Sequence, residues 1–294
     1  MRITSEVMVS RSLDRLQTRL QRYERSQSEL ATGKRILSPS DDPSGSRRAS
    51  SLTASMRARE QELRNVSDAT GWLDTADGQL QTALDRLARA RELATRAASN
   101  AGAGERSAIA AEIRAITEEI AGIANTTHLD RPLFGGFTAG PAVERDAGGA
   151  WVTQGDGDEV TRRVSDSELV RVNVTAAEWL GVGSPDGDLL TQLDQLADDI
   201  EAGAAIAPRL DQLKAATGTI ADSLAVIGAA SNRVSSAEAR ASDLLLNLRT
   251  ELSRVQDVDV AEGIMELQVQ QVAYEATLQA LAKALPPSLA GFLR

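Results

Sequence analysis

From Val9 the apolar side chains recur at Leu13, Leu16, Leu20, Tyr23 and, past Gln27, Leu30, in alternating steps of four and three residues. That spacing lays a single lengthwise stripe along a helix, the seam of a coiled coil. A stripe this narrow cannot close a core by itself; it needs a partner helix along its length. Ser5 is placed to cap the helix and Gly33 to stop it, which predicts one helix of about 25 residues. The last segment carries two such stripes. Met265, Val269, Val272 and Ala276 follow steps of four, three and four, and Tyr274, Leu278, Leu281 and Leu285 do the same. Read as neighbouring stripes, they imply more than one neighbour for this helix. Pro286 and Pro287 end it, leaving a tail with Leu289 and Phe292 as its apolar anchors. These seam and tail residues are the expected packing surface between the termini and between subunits. A hairpin of two thin terminal helices leaves too much apolar surface uncovered to offset the ordering of about sixty residues, so packed neighbours must supply the rest.

Between the ends, Ser38-Pro39-Ser40-Asp41-Asp42-Pro43-Ser44-Gly45 reads as a turn that ends in a helix start, with Asp42 as cap and Pro43 at the first helical position. A second helix follows through Leu52, Met56, Leu63 and Val66. Its seam sharpens through Leu73, Ala76, Leu80, Ala83, Leu87, Ala90, Ala94 and Ala97. Gly71 and Gly78 are weak spots in it. Residues 100–104 break this helix, and Ile109, Ile113, Ile116, Ile120 and Ile123 mark a third that folds back on it. From Leu129 to about Gly183 glycine clusters and Val/Thr-rich stretches appear, and 159–164 and 168–174 read as β-hairpins. Helix returns through Leu189, Leu193, Leu196 and Ile200, and again from Ile206 through Leu213, Ile220, Leu224 and Ile227 to Leu244, Leu248 and Leu252. The expected fold is mainly α: an elongated antiparallel bundle of N- and C-terminal segments with a small inserted β-rich domain. Its expected divisions are 1–45 (terminal helix and turn), 46–128 (rod), 129–184 (variable insert), 185–254 (rod) and 255–294 (terminal helix and tail).

Composition narrows the function. Aromatics make up 3% of the residues, so small and aliphatic side chains build the core, which suits close helix packing better than a roomy ligand cavity. A net charge of -10 repels phosphate backbones and anionic lipid, and disfavours nucleic acid as a partner. That charge is uneven. Residues 1–59 hold twelve Lys and Arg against six acids, and residues 141–222 hold six against sixteen. Arg11, Arg15, Arg19, Arg22 and Arg25 run along the first helix, either as a solvated face or as a contact for acidic groups of adjoining subunits. The absence of cysteine removes disulfides, thiolate metal sites and cysteine nucleophiles. No stretch of signal-peptide or membrane-span character is present, so if the chain leaves the cell it does so without a cleaved signal.

No constellation carries chemistry. His128 is the only histidine and cannot complete a typical zinc site alone. Asp156, Asp158, Glu159, Asp186 and Asp188 lack the twelve-residue calcium loop. Asp41 and Asp42 are turn and cap residues rather than an acid/base pair. There is no nucleophile elbow and no phosphate loop, and neither cofactor nor enzymatic activity is expected.

Several motifs carry a resemblance. Met1-Arg2-Ile3-Thr4 leads to Leu30-Ala31-Thr32-Gly33-Lys34-Arg35-Ile36 and then to 39–45. Gly71-Trp72-Leu73-Asp74-Thr75-Ala76-Asp77 follows, as does Asn125-Thr126-Thr127 running into Leu133-Phe134-Gly135-Gly136. At the other end stand Asp257-Val258-Asp259-Val260-Ala261-Glu262 and 271–280. Together these resemble the flagellin superfamily, in particular its hook-associated protein 3 branch, over about residues 1–137 and 218–294. The resemblance implies a secreted structural subunit of the bacterial flagellum, exported through the flagellar type III apparatus and located outside the cell at the hook-filament junction. It also implies hook-associated protein 1, flagellin and other copies of the chain as partners, and an export chaperone beforehand. One departure lies at 128–132, where Pro132 stands in place of the family's Gly and aromatic residue. Two other readings compete: flagellin itself, the bulk filament subunit, and a cytoplasmic coiled-coil scaffold. The strand-rich interruption argues against a continuous rod.

Overall fold

A computed structural model describes residues 2–99, 102–154, 157–184 and 187–284; for residues 2–6, 8, 9, 283 and 284 it describes the backbone alone. The elements in order are α1 (Arg2–Thr32), α2 (Pro43–Ala98), α3 (Ala103–Ala124), β1 (Thr127–His128), β2 (Arg131–Pro132), β3 (Val143–Arg145), β4 (Trp151–Thr153), β5 (Thr161–Arg163), β6 (Leu169–Arg171), α4 (Ala176–Leu180), α5 (Leu189–Ala202), α6 (Ala207–Gln256) and α7 (Val260–Ala284). The fold is mainly α with small antiparallel strand pairs. The chain divides into two compact units, residues 59–244 and residues 1–58 with 245–294.

The unit of residues 59–244 holds the hydrophobic core. The α2 seam is buried without a break from Leu73 to Ala97, and the α3 isoleucines Ile109, Ile113, Ile116, Ile120 and Ile123 are all buried with it. α3 runs back along α2: Arg96 pairs with Glu105, Arg89 with Glu112 and Arg86 with Glu119, a descending register only antiparallel helices allow. α5 adds Leu189, Leu193, Leu196 and Ile200 to the same core, starting from an Asp188 cap whose carboxylate accepts the Thr191 N–H at 3.0 Å. Asp188 is thus a helix cap; Asp156 and Asp186 lie outside the described residues.

Among the described residues the strands form three two-stranded hairpins, β1-β2, β3-β4 and β5-β6. The stretches 159–164 and 168–174 pair with each other as one hairpin, with Thr161 opposite Arg171 and Arg163 opposite Leu169. This hairpin is docked by ion pairs onto two helices. Arg162 meets Asp68 of α2 at 2.6 Å, Arg59 bonds Asp166, and Glu168 receives both Arg233 and Arg240 of α6. The insert has no separate core, because Phe134, Val143, Val164, Val170 and Trp179 belong to the same buried cluster as the helices. Hairpins of two and three residues per strand bury too little to stand alone.

Three sequence expectations need correction. α1 begins at Arg2 rather than after Ser5, since Arg2, Ile3 and Thr4 include nothing that breaks a helix. The short helix α4 was not expected, although Thr175-Ala-Ala-Glu178 is a capping box, with the Thr175 hydroxyl accepting the Glu178 N–H and Glu178 accepting the Thr175 N–H. Along α6 the seam bypasses Leu244: Val234, Ala237, Ala241 and Leu245 are buried, Leu248 and Leu252 are half-buried, and Leu244 is exposed. The alanines continue the three-and-four rhythm but carry too little side chain to announce it.

Candidate assembly interface

Within the unit of residues 1–58 and 245–294, α1 and α7 pack as a pair. Tyr23 stacks on Tyr274 with ring centroids 6.3 Å apart and planes 14° from parallel. Near one end, a Cβ on Gly263 would stand 2.8 Å from the Leu30 Cδ2, so the glycine lets Leu30 approach the α7 backbone. Pairing of residue 23 with 274 and of residue 30 with 263 makes the helices antiparallel.

The connectors leading out of these helices are tied to each other. Gly33 takes φ +69, the left-handed stop of α1. Its carbonyl then accepts the Val258 N–H at 3.0 Å, and the Arg35 N–H donates to the Gln256 carbonyl at 2.7 Å. The Arg35 guanidinium adds a bond to the Val255 carbonyl at 3.1 Å. Segments more than two hundred residues apart in sequence therefore form a short antiparallel bridge at Lys34 and Asp257.

The turn into α2 is built by the two adjacent aspartates. Asp42 accepts the N–H groups of Ser44 at 3.1 Å and Gly45 at 2.9 Å, with Pro43 opening the helix. Asp41 accepts those of Ser38 at 2.8 Å and Leu37 at 3.2 Å, and lies 3.6 Å from Arg25. Backbone N–H donors, from Ser38 at Asp41 and from Gly45 at Asp42, hold both carboxyls below the usual range. A Cβ on Gly45 would meet the Asp42 carboxylate at 2.3 Å and the Ile36 Cδ1 at 2.7 Å, so this turn excludes a side chain there.

The expected packing residues fall into three groups. Leu16, Leu20, Tyr23, Leu30, Tyr274 and Leu281 are half-buried, and Leu278 is partly exposed near them. Leu13 is 46% exposed, Met265 62%, Val269 59% and Val272 66%. The side chain of Val9 and the residues Leu285, Leu289 and Phe292 lie outside what the structure describes. The two α7 stripes are not neighbours, which corrects the sequence reading. At about 100° per residue, Met265 and Tyr274 are half a turn apart, so the stripes occupy opposite sides of the helix. Tyr274 and Leu281 face α1, and Met265, Val269 and Val272 face away from it. Residues the seam analysis passed over complete the inner side: Gly263, Leu267 and the buried Gln270 on α7, and the buried Ser26 on α1. Gln270 and Ser26 are polar, and no apolar period could have pointed to them.

The two central motifs meet in the other unit. His128 of β1 lies edge-on to Trp72 at 5.5 Å, and its Nδ1 is 3.2 Å from the Thr75 hydroxyl. Asn125 exchanges two hydrogen bonds with the Val143 backbone, at 2.8 and 2.9 Å. At the departure the sequence flagged, β1 and β2 are joined through Leu129 and Asp130 with φ +50 and +60, a mirror-image turn normally held by Asn and Gly. Among the described residues no three His, Cys, Asp or Glu gather where a metal could sit, and no helix is long and apolar enough to cross a membrane.

Comparison with known proteins returns one family and one fold. The family model for the bacterial flagellin N-terminal helical region matches residues 3–134, and that for the flagellin C-terminal helical region matches residues 210–289. No curated protein sequence matches. Among solved structures, one described as a flagellar hook-associated protein from Vibrio parahaemolyticus is similar at a TM-score of 0.69 and 21% identity, covering 74% of this chain and 100% of that one. FlgL of Bacillus cereus is similar at 0.60 and 22%, covering 69% and 99%. The flagellar junction protein FlgL of Legionella pneumophila is similar at 0.61 and 16%, covering 71% and 99%. With both terminal helical regions of a single family matched in order and together spanning most of its length, the chain belongs to the flagellin superfamily.

Proposed function

We propose that this chain is a non-enzymatic structural subunit of the bacterial flagellum that assembles at the hook-filament junction, as an adaptor between hook-associated protein 1 and flagellin. The observation that carries the reading is the outward stripe of α7: Met265, Val269 and Val272 are more than half exposed on the side of the helix opposite α1. An apolar row on a helix already paired along its other side calls for another protein surface. Family membership supplies the kind of assembly, and the likeness to hook-associated and junction proteins favours the junction over the bulk filament. On this reading the chain is exported through the flagellar type III apparatus without a cleaved signal, is held by a chaperone before export, and works outside the cell beside other copies of itself.

The test is genetic. In a strain lacking the gene, the full chain should restore attached filaments and swimming, and chains without residues 1–32 or 260–294 should not. Normal motility with either deletion would refute the role of the termini. Growth of the purified chain by itself into long filaments would move the assignment to flagellin.

A further inference from the structure

Beside the α1–α7 seam lies an open groove. Arg15, Arg19 and Arg22 of α1, with Ser12 and Thr18 beside them, form one wall, and Ala276, Thr277, Ala280 and Leu281 of α7 form a largely apolar floor. Among the described residues no carboxylate stands within ion-pairing distance of these three arginines, although Asp14 also borders the groove. Other guanidinium groups of the chain, among them Arg25, Arg59, Arg89, Arg114, Arg145 and Arg171, each meet at least one acid. The groove therefore couples uncompensated positive charge to a strip of small and aliphatic side chains.

The outward side of α7 has the opposite character. Its apolar row, Met265, Val269 and Val272, is flanked by Glu262 and Glu266 on one edge and Glu275 on the other, as about 100° per residue places them. No Lys or Arg occurs from Val255 through Ala282. Glu266 and Glu275 accept hydrogen bonds from Gln270 and Gln271 respectively, and neither is paired with a cation among the described residues.

We infer that the arginine-walled groove of one copy takes the outward face of α7 from a second copy. Met265, Val269 and Val272 lie on the apolar floor, and Glu262, Glu266 and Glu275 meet Arg15, Arg19 and Arg22. This rests on the assembly reading above and deepens it by naming the surfaces that meet. Groove and stripe adjoin at Ala276 and differ in all their other residues, so the contact is head-to-tail, and repetition gives a closed ring or an open helix. Its charges set orientation and salt sensitivity, while the apolar row supplies the burial.

Charge reversal tests it on the full chain. One variant carries Arg15→Glu, Arg19→Glu and Arg22→Glu; the other carries Glu262→Arg, Glu266→Arg and Glu275→Arg. Sedimentation velocity should show the native chain associating at low salt and dissociating as salt rises. Each reversed chain should associate at least about tenfold more weakly, and their equimolar mixture should recover, because each groove then faces a stripe of opposite sign. Helix content by circular dichroism verifies folding, and Arg→Gln versions of the first set should weaken association without repulsion. A native chain that stays monomeric overturns the inference, as does association indifferent to either reversal, or a helical mixture that fails to recover. The complementation assay separates the two readings: if the native chain restores swimming and both reversed chains do so equally well, the groove contact is wrong and the subunit role stands.

Discussion

The two compact units of this chain use helices of similar amphipathic rhythm and bury them to very different depths. Between residues 59 and 244, Leu80, Leu87, Ile113, Ile120, Phe134 and Trp179 are wholly inaccessible, because α2, α3, α5, α6 and the insert all contribute to one buried cluster. In the unit of residues 1–58 and 245–294 the most buried apolar side chains described, Ile36, Leu245, Ala49 and Leu52, keep 7–9% exposure. There α1 and α7 have each other on one side and solvent on the rest. The difference teaches that a seam fixes where a helix touches, and the number of neighbours fixes how much that touch is worth. The first unit is a finished core, and the second leaves the outer side of α7 uncovered.

The largest effect should separate the two units most sharply. Phe134→Ala empties a fully enclosed site that also packs Trp179 at 5.6 Å, and should cost about 3–5 kcal/mol in chemical denaturation. Leu20→Ala, at a half-buried seam position, should cost the isolated chain under about 1.5 kcal/mol while impairing filament attachment in cells. Equal losses would erase the distinction. Amide exchange draws the same line by another route. Amides of α7 around Val269 to Tyr274 should exchange at least about a hundredfold faster than those of α3 around Ile113 to Ile120 in the dilute monomer. Comparable protection would mean that the terminal pair needs no neighbour.

Acid should act in opposite directions on the two units. At Asp41 and Asp42 the folded pKa lies below the unfolded one, so their stabilisation is complete above the ordinary carboxylate value of about 4 and is lost as pH falls through the lower folded values. Glu62 is the reverse case: burial, opposed by Arg59, pushes its carboxyl up, so its contribution is present below the ordinary value and declines as pH rises through the folded one. Loosening of the terminal turn, followed by exchange at Ser38 and Gly45, should therefore set in only as pH falls below the ordinary carboxylate range. An Asp41→Asn, Asp42→Asn chain should show no such step. The smallest effect belongs to the strained hairpin tip. Asp130→Gly removes a side chain from a left-handed position and should raise stability by about 0.5–1 kcal/mol, read as a small upward shift in melting temperature. A fall would show that the Asp130 side chain holds the turn.

Much of this fold can be read from spacing alone. The α2 seam, the α3 isoleucines and the α5 leucines are periodic enough to identify both helix and buried face, and Asp42-Pro43 and Gly33 mark helix ends by backbone chemistry no other residues supply so well. Legibility fails where the burying residue is small or polar. Ala237 and Ala241 hide the α6 seam, Gly263 admits Leu30 by having no side chain, and Gln270 and Ser26 sit in the α1–α7 contact. The insert was legible as strand-rich but not as part of the main core, because the ion pairs that dock it, such as Arg162 with Asp68, join residues 94 apart in sequence.

The sequence by itself determined that α1 and α7 are helices with lengthwise stripes and that a turn capped by Asp42 follows the first. Those are local facts, set by helical period and by the backbone preferences of Gly, Pro and Asp. Only the tertiary structure decided which α7 stripe faces α1 and which faces outward, that the two connectors bond at Lys34 and Asp257, and that the insert shares the helical core. Each depends on which surface reaches water after the chain has closed, and a period along one helix carries no information about what stands beside it.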